Sequence, residues 1–276
     1  MGCTEVIPVE VSAFSMQKLG NKPSQYEDSY YYELRKRKLA VADGASESCF
    51  AKSWADLLTS SFVQSDLSLF RLSDFEVQTV KQAFEPILAS IREEWTRKID
   101  WASLPWYIEE KSKRGAFATF LGVEFKRMRR KRKRLYKWRA VAVGDCCMFL
   151  LDDTQLQGSF PLTSSSEFGI TPCLLSSNSN ISSKTLWSIK EGLVKVGKSS
   201  RLVLATDAVA KWILQMAESG KNTWSNAVSP ETVSRRLFLE ELVNKEEIRN
   251  DDITILTLGF HSFLKQSGLM LSFKGS

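Results

Sequence analysis

Five apolar runs in this chain are each bounded by a carboxylate. LAVAD ends at Asp43, AVAVGD at Asp145 and LVLATD at Asp207, while Asp251 stands before ITILTL and the pair Glu27-Asp28 before SYYYEL. A single Asp in such a place is ordinary turn chemistry, because Asp bonds its own local backbone and Asp-Gly favours tight turns. The set carries a different implication. If several of these ends meet at one edge of packed sheets, like charges within a few ångströms resist ionising together, and a cation resolves the conflict. The donors are all oxygen, so the ion should be hard, Mg²⁺ or Mn²⁺, with Ca²⁺ less suited to phosphate chemistry. Two such ions about 3.5–4 Å apart, bridged by one Asp, can deprotonate a water and hold a phosphoryl group for in-line attack. That is metal-assisted hydrolysis of a phosphate ester, and it needs no Ser, Cys or His nucleophile.

The remaining chemistry of the chain narrows the choice. The one histidine, His261, follows a strand-like apolar run near the C-terminus, which argues against Ser-His-Asp catalysis and a His-built zinc site. Five cysteines, two of them adjacent at Cys146 and Cys147, form no CxxC pair. A reduced, cytoplasmic setting is expected. No apolar stretch approaches the roughly 20 residues of a membrane helix, and the N-terminal MGCTEVIPVE lacks a secretory pattern. The net charge of +6 is concentrated: KRMRRKRKRLYKWR, 126–139, holds ten Lys or Arg and no acid, so the rest of the chain is mildly acidic.

The elements that would position the carboxylates follow from periodicity. YEDSYYYEL (26–34) and RKLAVADG (37–44) read as an antiparallel pair. Ser46 is expected to cap a helix with the stripe Phe50, Trp54, Leu57, Leu58 and Phe62. A capping box of Ser73 and Glu76 starts a longer helix with the stripe Val80, Phe84, Leu88, Ile91 and Trp95, interrupted by Pro86. Strands return at 115–125, 138–145 and 148–153, with the basic run at a hairpin tip, and 163–185 reads as a long loop. Then come a strand at 201–207, a helix from Ala208 to about Glu218, a helix capped by Ser229-Pro230 with Leu237 and Leu242 on its stripe, and a last strand at 251–260. Grouped strands with helices between them predict an α+β fold, antiparallel sheet with helices on its outer faces. At 276 residues and 43% apolar, one domain over 1–276 is expected, with the basic hairpin at about 126–139 inserted in it.

The motifs ED, VADG, a Thr-containing strand leading to VAVGD, LVLATD and NDDITIL, in that order over about residues 10 to 260, resemble the type 2C family of metal-dependent serine/threonine protein phosphatases. The resemblance implies a β-sandwich flanked by pairs of helices, a four-layer αββα arrangement. It implies two Mg²⁺ or Mn²⁺ ions and a third, weaker one, acting on phosphoserine and phosphothreonine esters of a protein substrate. Carried over by position, Asp43 bridges both metals, with the carbonyl of Gly44 on the second. Asp207 and Asp251 complete the first, and Asp43, Asp207 and Asp251 carry catalysis. Glu27 reaches the second metal through water, Asp28 supports it, Asp145 joins Asp207 at the third, and Asp252 stands where many members have Asn. The sequence departs from the family elsewhere. The phosphate-binding Arg, four residues before the Glu, is Pro23 here, leaving only the adjacent Lys22, which lacks a guanidinium's two-pronged contact. The His that follows the DG in many members is Ala45, and Ala208 and Cys146 replace the Gly after LATD and the Ser after GD.

Two other function classes compete. A pseudophosphatase would keep the fold and bind phosphoproteins without turnover. The basic segment 126–139, with Tyr136 and Trp138 for base stacking, raises nucleic acid, but charge runs are usually hydrated surface, and docking of an acidic protein partner ranks above a nucleic-acid role. A monomer is expected.

Overall fold

The computed structural model describes residues 9–130, 133–152, 155–169, 172–181, 185–195, 200–229 and 231–260. His261 and Pro230 lie outside them.

Two five-stranded sheets form the centre, every pairing antiparallel. One runs in the order β1 (Val9–Met16), β12 (Ile253–Phe260), β11 (Arg201–Ala205), β7 (Cys147–Leu151), β8 (Leu156–Phe160). The other runs β10 (Ser188–Lys195), β6 (Lys133–Val143), β5 (Phe120–Arg130), β3 (Lys38–Ala42), β2 (Ser29–Glu33). A small pair joins β4 (Phe117–Ala118) to β9 (Leu175–Ser176). The helices are α1 (Ala51–Gln64), α2 (Val77–Lys98), α3 (Trp106–Lys113), α4 (Asp207–Glu218) and α5 (Thr232–Asn244).

Strand alternation sorts the side chains into three apolar layers. Leu39 and Val41 of β3 meet Leu202, Leu204, Leu256 and Leu258 between the sheets. Ala40 and Ala42 face the helix side, where Trp54, Phe62, Val80, Phe84 and Leu88 of α1 and α2 cover them. Val203 and Ala205 of β11 face Trp212, Ile213 and Leu239 of α4 and α5. Both faces of the central strands are thus covered, which is why KLAVA and RLVLA are continuous apolar runs rather than alternating ones. The result is the expected four-layer αββα arrangement. Among the described residues no helix is long and apolar enough to cross a membrane.

Several boundaries differ from expectation. Helix α1 starts at Ala51, not after Ser46, because Ser48 folds residues 45–50 into a turn: its Oγ donates to the Ala45 carbonyl at 2.8 Å and accepts from Phe117 N at 3.2 Å. Phe50, left-handed at φ 59°, therefore leaves the helical stripe and packs edge-on against Trp95. Helix α2 starts at Val77 with Glu76 as its cap residue, and Ser73 donates to Asp74 instead of capping. The preceding segment is held elsewhere: buried Glu124 accepts from Leu69 N at 2.6 Å and Ser68 Oγ at 2.8 Å, and the Arg139 guanidinium lies 4.5 Å from the Phe75 ring centre. On α5, Leu237 is 62% exposed, and the buried face is Arg235, Leu239, Leu242 and Val243.

The basic run does form two long paired strands, with Arg130 opposite Lys133. Tyr136 and Trp138, however, are 2% and 3% exposed in the layer between the sheets, so neither is available to stack on a base. At the base of the hairpin, Lys137 and Arg139 both hold Glu191, at 2.7 and 2.8 Å.

Candidate functional site

Register alone gathers the strand-end carboxylates. Ser29 at the start of β2 pairs with Ala42 at the end of β3, and Val143 at the end of β6 pairs with Phe120 beside β3. In the other sheet, Ala205 at the end of β11 pairs with Ile255 near the start of β12. Asp28, Asp43 and Asp145 therefore leave one sheet, and Asp207 and Asp251 the other, at the same end of the sandwich.

Local structure fixes each of them. Asp28, 1% exposed, accepts through Oδ2 from Thr206 Oγ1 at 2.9 Å and Thr254 Oγ1 at 2.8 Å, which ties the start of β2 to β11 and β12 of the facing sheet. Tyr26 adds its hydroxyl to Thr254. The Asp43 backbone is pinned by Thr119, whose N–H donates to the Asp43 carbonyl at 2.9 Å and whose Oγ1 accepts from Asp43 N at 3.2 Å. Gly44 admits no side chain, since a Cβ there would lie 2.8 Å from the Glu27 carbonyl oxygen. Glu27 is half-buried. Asp207 is the first residue of α4, where the helix dipole favours negative charge. Lys22 is exposed at the cap of the short turn Pro23–Gln25, its N–H donating to Gln25.

Gly144 orients Asp145. It sits at φ +95°, and a Cβ would fall 2.6 Å from Thr119 Cγ2 and 2.7 Å from the Cys173 carbonyl oxygen. Gly144→Ala should lower stability by about 1–3 kcal/mol through backbone strain alone, more if Thr119 cannot move, as measured by urea unfolding.

The electrostatics are those of crowded acids. Burial, then Asp28, Asp207, Asp145 and Asp251, push the Asp43 carboxyl well above its ordinary range. Burial and Asp252 do the same to Asp28, and burial and Asp207 push Asp145 up to about 7. Burial raises Glu27, opposed by a hydrogen bond from Ser46. The buried thiols of Cys146 and Cys147 are pushed up by burial and by nearby carboxylates, so a thiolate nucleophile is disfavoured here.

Not every predicted site residue serves the same end. Asp252 is a backbone clamp: its Oδ1 accepts from Lys18 N at 2.8 Å and its Oδ2 from Glu27 N at 2.6 Å, fixing the β1–β2 connection under the site. Asp207 and Asp251 are both held by Arg249, whose Nη2 lies 2.6 Å from Asp207 Oδ2 and also contacts Asp251 Oδ2. Among the described residues, no three His, Cys, Asp or Glu side chains converge closely enough to hold a metal ion. The donor set still fits a hard divalent cation. It is all oxygen, and Asp28 Oδ1 and Asp145 Oδ1 are buried without a hydrogen-bond partner among the described residues.

Arg249, Thr206, Thr254 and Tyr26 are absent from the sequence-level site. The two threonines carried a faint signal, each a polar residue closing or opening an otherwise apolar strand beside a candidate Asp. Arg249 carried only its nearness to Asp251.

No protein-family model matches the chain, and no curated protein matches it. Solved structures do. The Mycobacterium tuberculosis serine/threonine phosphatase PstP/Ppp is 14% identical, aligned over 92% of this chain and 99% of its own, with a TM-score of 0.57. The PstP catalytic domain in complex with two manganese ions matches over the same shares at 14% identity and a TM-score of 0.53. An S. agalactiae serine/threonine phosphatase is 12% identical over 92% of this chain and 100% of its own, with a TM-score of 0.53. The likeness at these identities is one of fold: the chain has the fold of the type 2C metal-dependent serine/threonine phosphatases.

Proposed function

We propose that this chain is a divalent-metal-dependent phosphoprotein phosphatase, built as one domain and acting as a monomer on phosphoserine and phosphothreonine. The observation that carries the reading is that strand register brings five strand-end carboxylates to one end of a sandwich with the phosphatase fold, where Asp28, Asp207, Asp145 and Asp251 all raise the pKa of the buried Asp43. Asp43, the Gly44 carbonyl, Asp207 and Asp251 are the groups assigned to two Mg²⁺ or Mn²⁺ ions. Glu27 and Asp28 support them, and Asp145 is assigned to a weaker third. When bound, these ions supply Lewis acidity toward water and a phosphoryl oxygen. The protein's part is positional: Thr206 and Thr254 hold Asp28, Thr119 holds Asp43, and Asp252 holds the backbone of Glu27. An acidic protein partner at 126–139 belongs to the same proposal and would engage the hairpin beyond Lys137 and Arg139, which Glu191 occupies. So does a cytoplasmic setting.

Ala45 offers no proton to a leaving alkoxide, and Pro23 offers no charge to the phosphate. General acid catalysis is worth about 10²–10⁴-fold, so Mn²⁺-dependent hydrolysis of p-nitrophenyl phosphate should exceed that of a phosphoserine peptide by at least about 10² in kcat. Equal rates would remove the argument from Ala45. One observation favours a second reading, a phosphoprotein-binding module without turnover: Arg249 occupies two of the assigned metal ligands. Absence of turnover on any phosphoester even in saturating Mn²⁺ would select it.

A further inference from the structure

Arg249 stands two residues before Asp251, and its side chain, 65% exposed, reaches back over two carboxylates that are only 14% and 30% exposed. One nitrogen, Nη2, serves both Asp207 Oδ2 and Asp251 Oδ2, so a single guanidinium joins the start of α4 to the approach to β12. Among the assigned ligands these are the two that complete, with Asp43, the set of the first metal. A divalent ion bound by both carboxylates needs the lone pairs that Arg249 now holds, and it would meet the guanidinium's positive charge at short range. Arg249 is permanently charged, so this opposition cannot be relieved by losing a proton.

We infer that Arg249 is a tethered counter-cation which competes with the divalent metal for Asp207 and Asp251 and thereby sets the metal affinity of the site. The inference rests on the metal-dependent reading above. Without metal, the guanidinium neutralises part of the acidic cluster and holds α4 against the β12 approach. With metal, it is displaced outward into solvent, which its exposure allows without rebuilding the core. A surface-exposed ion pair is weak in water, and screening limits its strength further. The competition should therefore be of moderate size and dependent on salt.

Mn²⁺ titration calorimetry on the wild type, Arg249→Gln and Arg249→Lys tests this. Arg249→Gln should bind Mn²⁺ about tenfold more tightly at low salt, with the gap narrowing as salt rises. Arg249→Lys, which keeps the charge but loses the fork, should fall between. In metal-free thermal unfolding, Arg249→Gln should melt below the wild type and should gain more from added Mn²⁺. Unchanged or weaker Mn²⁺ affinity in Arg249→Gln, beside measurable binding by the wild type, overturns the competition alone. Failure of every variant to bind Mn²⁺ overturns the metal-dependent reading together with it. A metal-free melting temperature for Arg249→Gln at or above that of the wild type overturns the ion pair itself.

Discussion

Asp43→Asn is expected to lower Mn²⁺-dependent p-nitrophenyl phosphate hydrolysis by about a thousandfold, the kinetic equivalent of ~4 kcal/mol, while making the metal-free protein more stable. The two effects have one cause. Asp43 is the carboxylate on which Asp28, Asp145, Asp207 and Asp251 all act, each of them raising its pKa on top of burial. In a site that binds a cation, that focus of negative charge favours the metal. In the metal-free protein that charge is opposed by burial and by all four of these neighbours. Asn has nearly the same shape and leaves untouched the backbone bonds to Thr119 that hold the end of β3 in place. A variant that misfolded would lose both activity and stability, so the opposite signs separate loss of a metal ligand from loss of structure. Turnover equal to the wild type would sink the assignment of Asp43. A lower metal-free melting temperature would show that its charge is not opposed in the fold.

The strand ends were legible because the central strands are covered on both faces. KLAVA, RLVLA and ITILTLGF carry no carboxylate within the strand, so the first Asp after or before them marks the end of the strand. Their antiparallel register then places those ends together without further information. Peripheral elements were harder to read. β10, SIKEGLVK, is an edge strand that exposes Lys190, Glu191, Leu193 and Lys195 and buries only Val194, and α3, WYIEEKSK, buries only Ser112, so neither carries an apolar period of useful length. The Ser73-Glu76 box satisfied a local rule, but Glu124, 55 residues beyond Leu69 in the chain, fixed the preceding segment in another conformation. The same limit applies to Arg249 and Asp252. Their roles depend on the aim of one side chain from a loop onto distant atoms, which no spacing in the sequence encodes.

The metal-free protein should lose stability as pH rises from about 4 to about 7, the reverse of ordinary acid denaturation, and Mn²⁺ should reverse the trend. Asp28, Asp43 and Asp145 all have folded-state pKa values above the ordinary 3.8, Asp145 at about 7, with burial the first cause in each. Between the unfolded and folded values the native state binds more protons than the unfolded chain, so unfolding releases protons and is favoured by alkali. The contribution of each group is fully present below about pH 4 and is lost as pH passes its folded value. For Asp145 alone, a displacement of this size corresponds to about 4 kcal/mol as an upper figure. Glu167, Glu191 and Glu218, lowered by hydrogen bonds, act with the opposite sign, but their contributions fall away below the ordinary 4.5 and so outside most of this window. Arg249 moderates the effect by lowering Asp145 and Asp207 without cancelling the burial that dominates both. With saturating Mn²⁺ the carboxylates must be ionised to bind, so protons compete with the metal and melting temperatures should rise over the same interval. Calorimetric scans in chelator and in Mn²⁺ should therefore diverge steadily toward neutral pH. A metal-free melting temperature that is flat or climbs over this interval would mean that the carboxylates are not crowded as this fold places them.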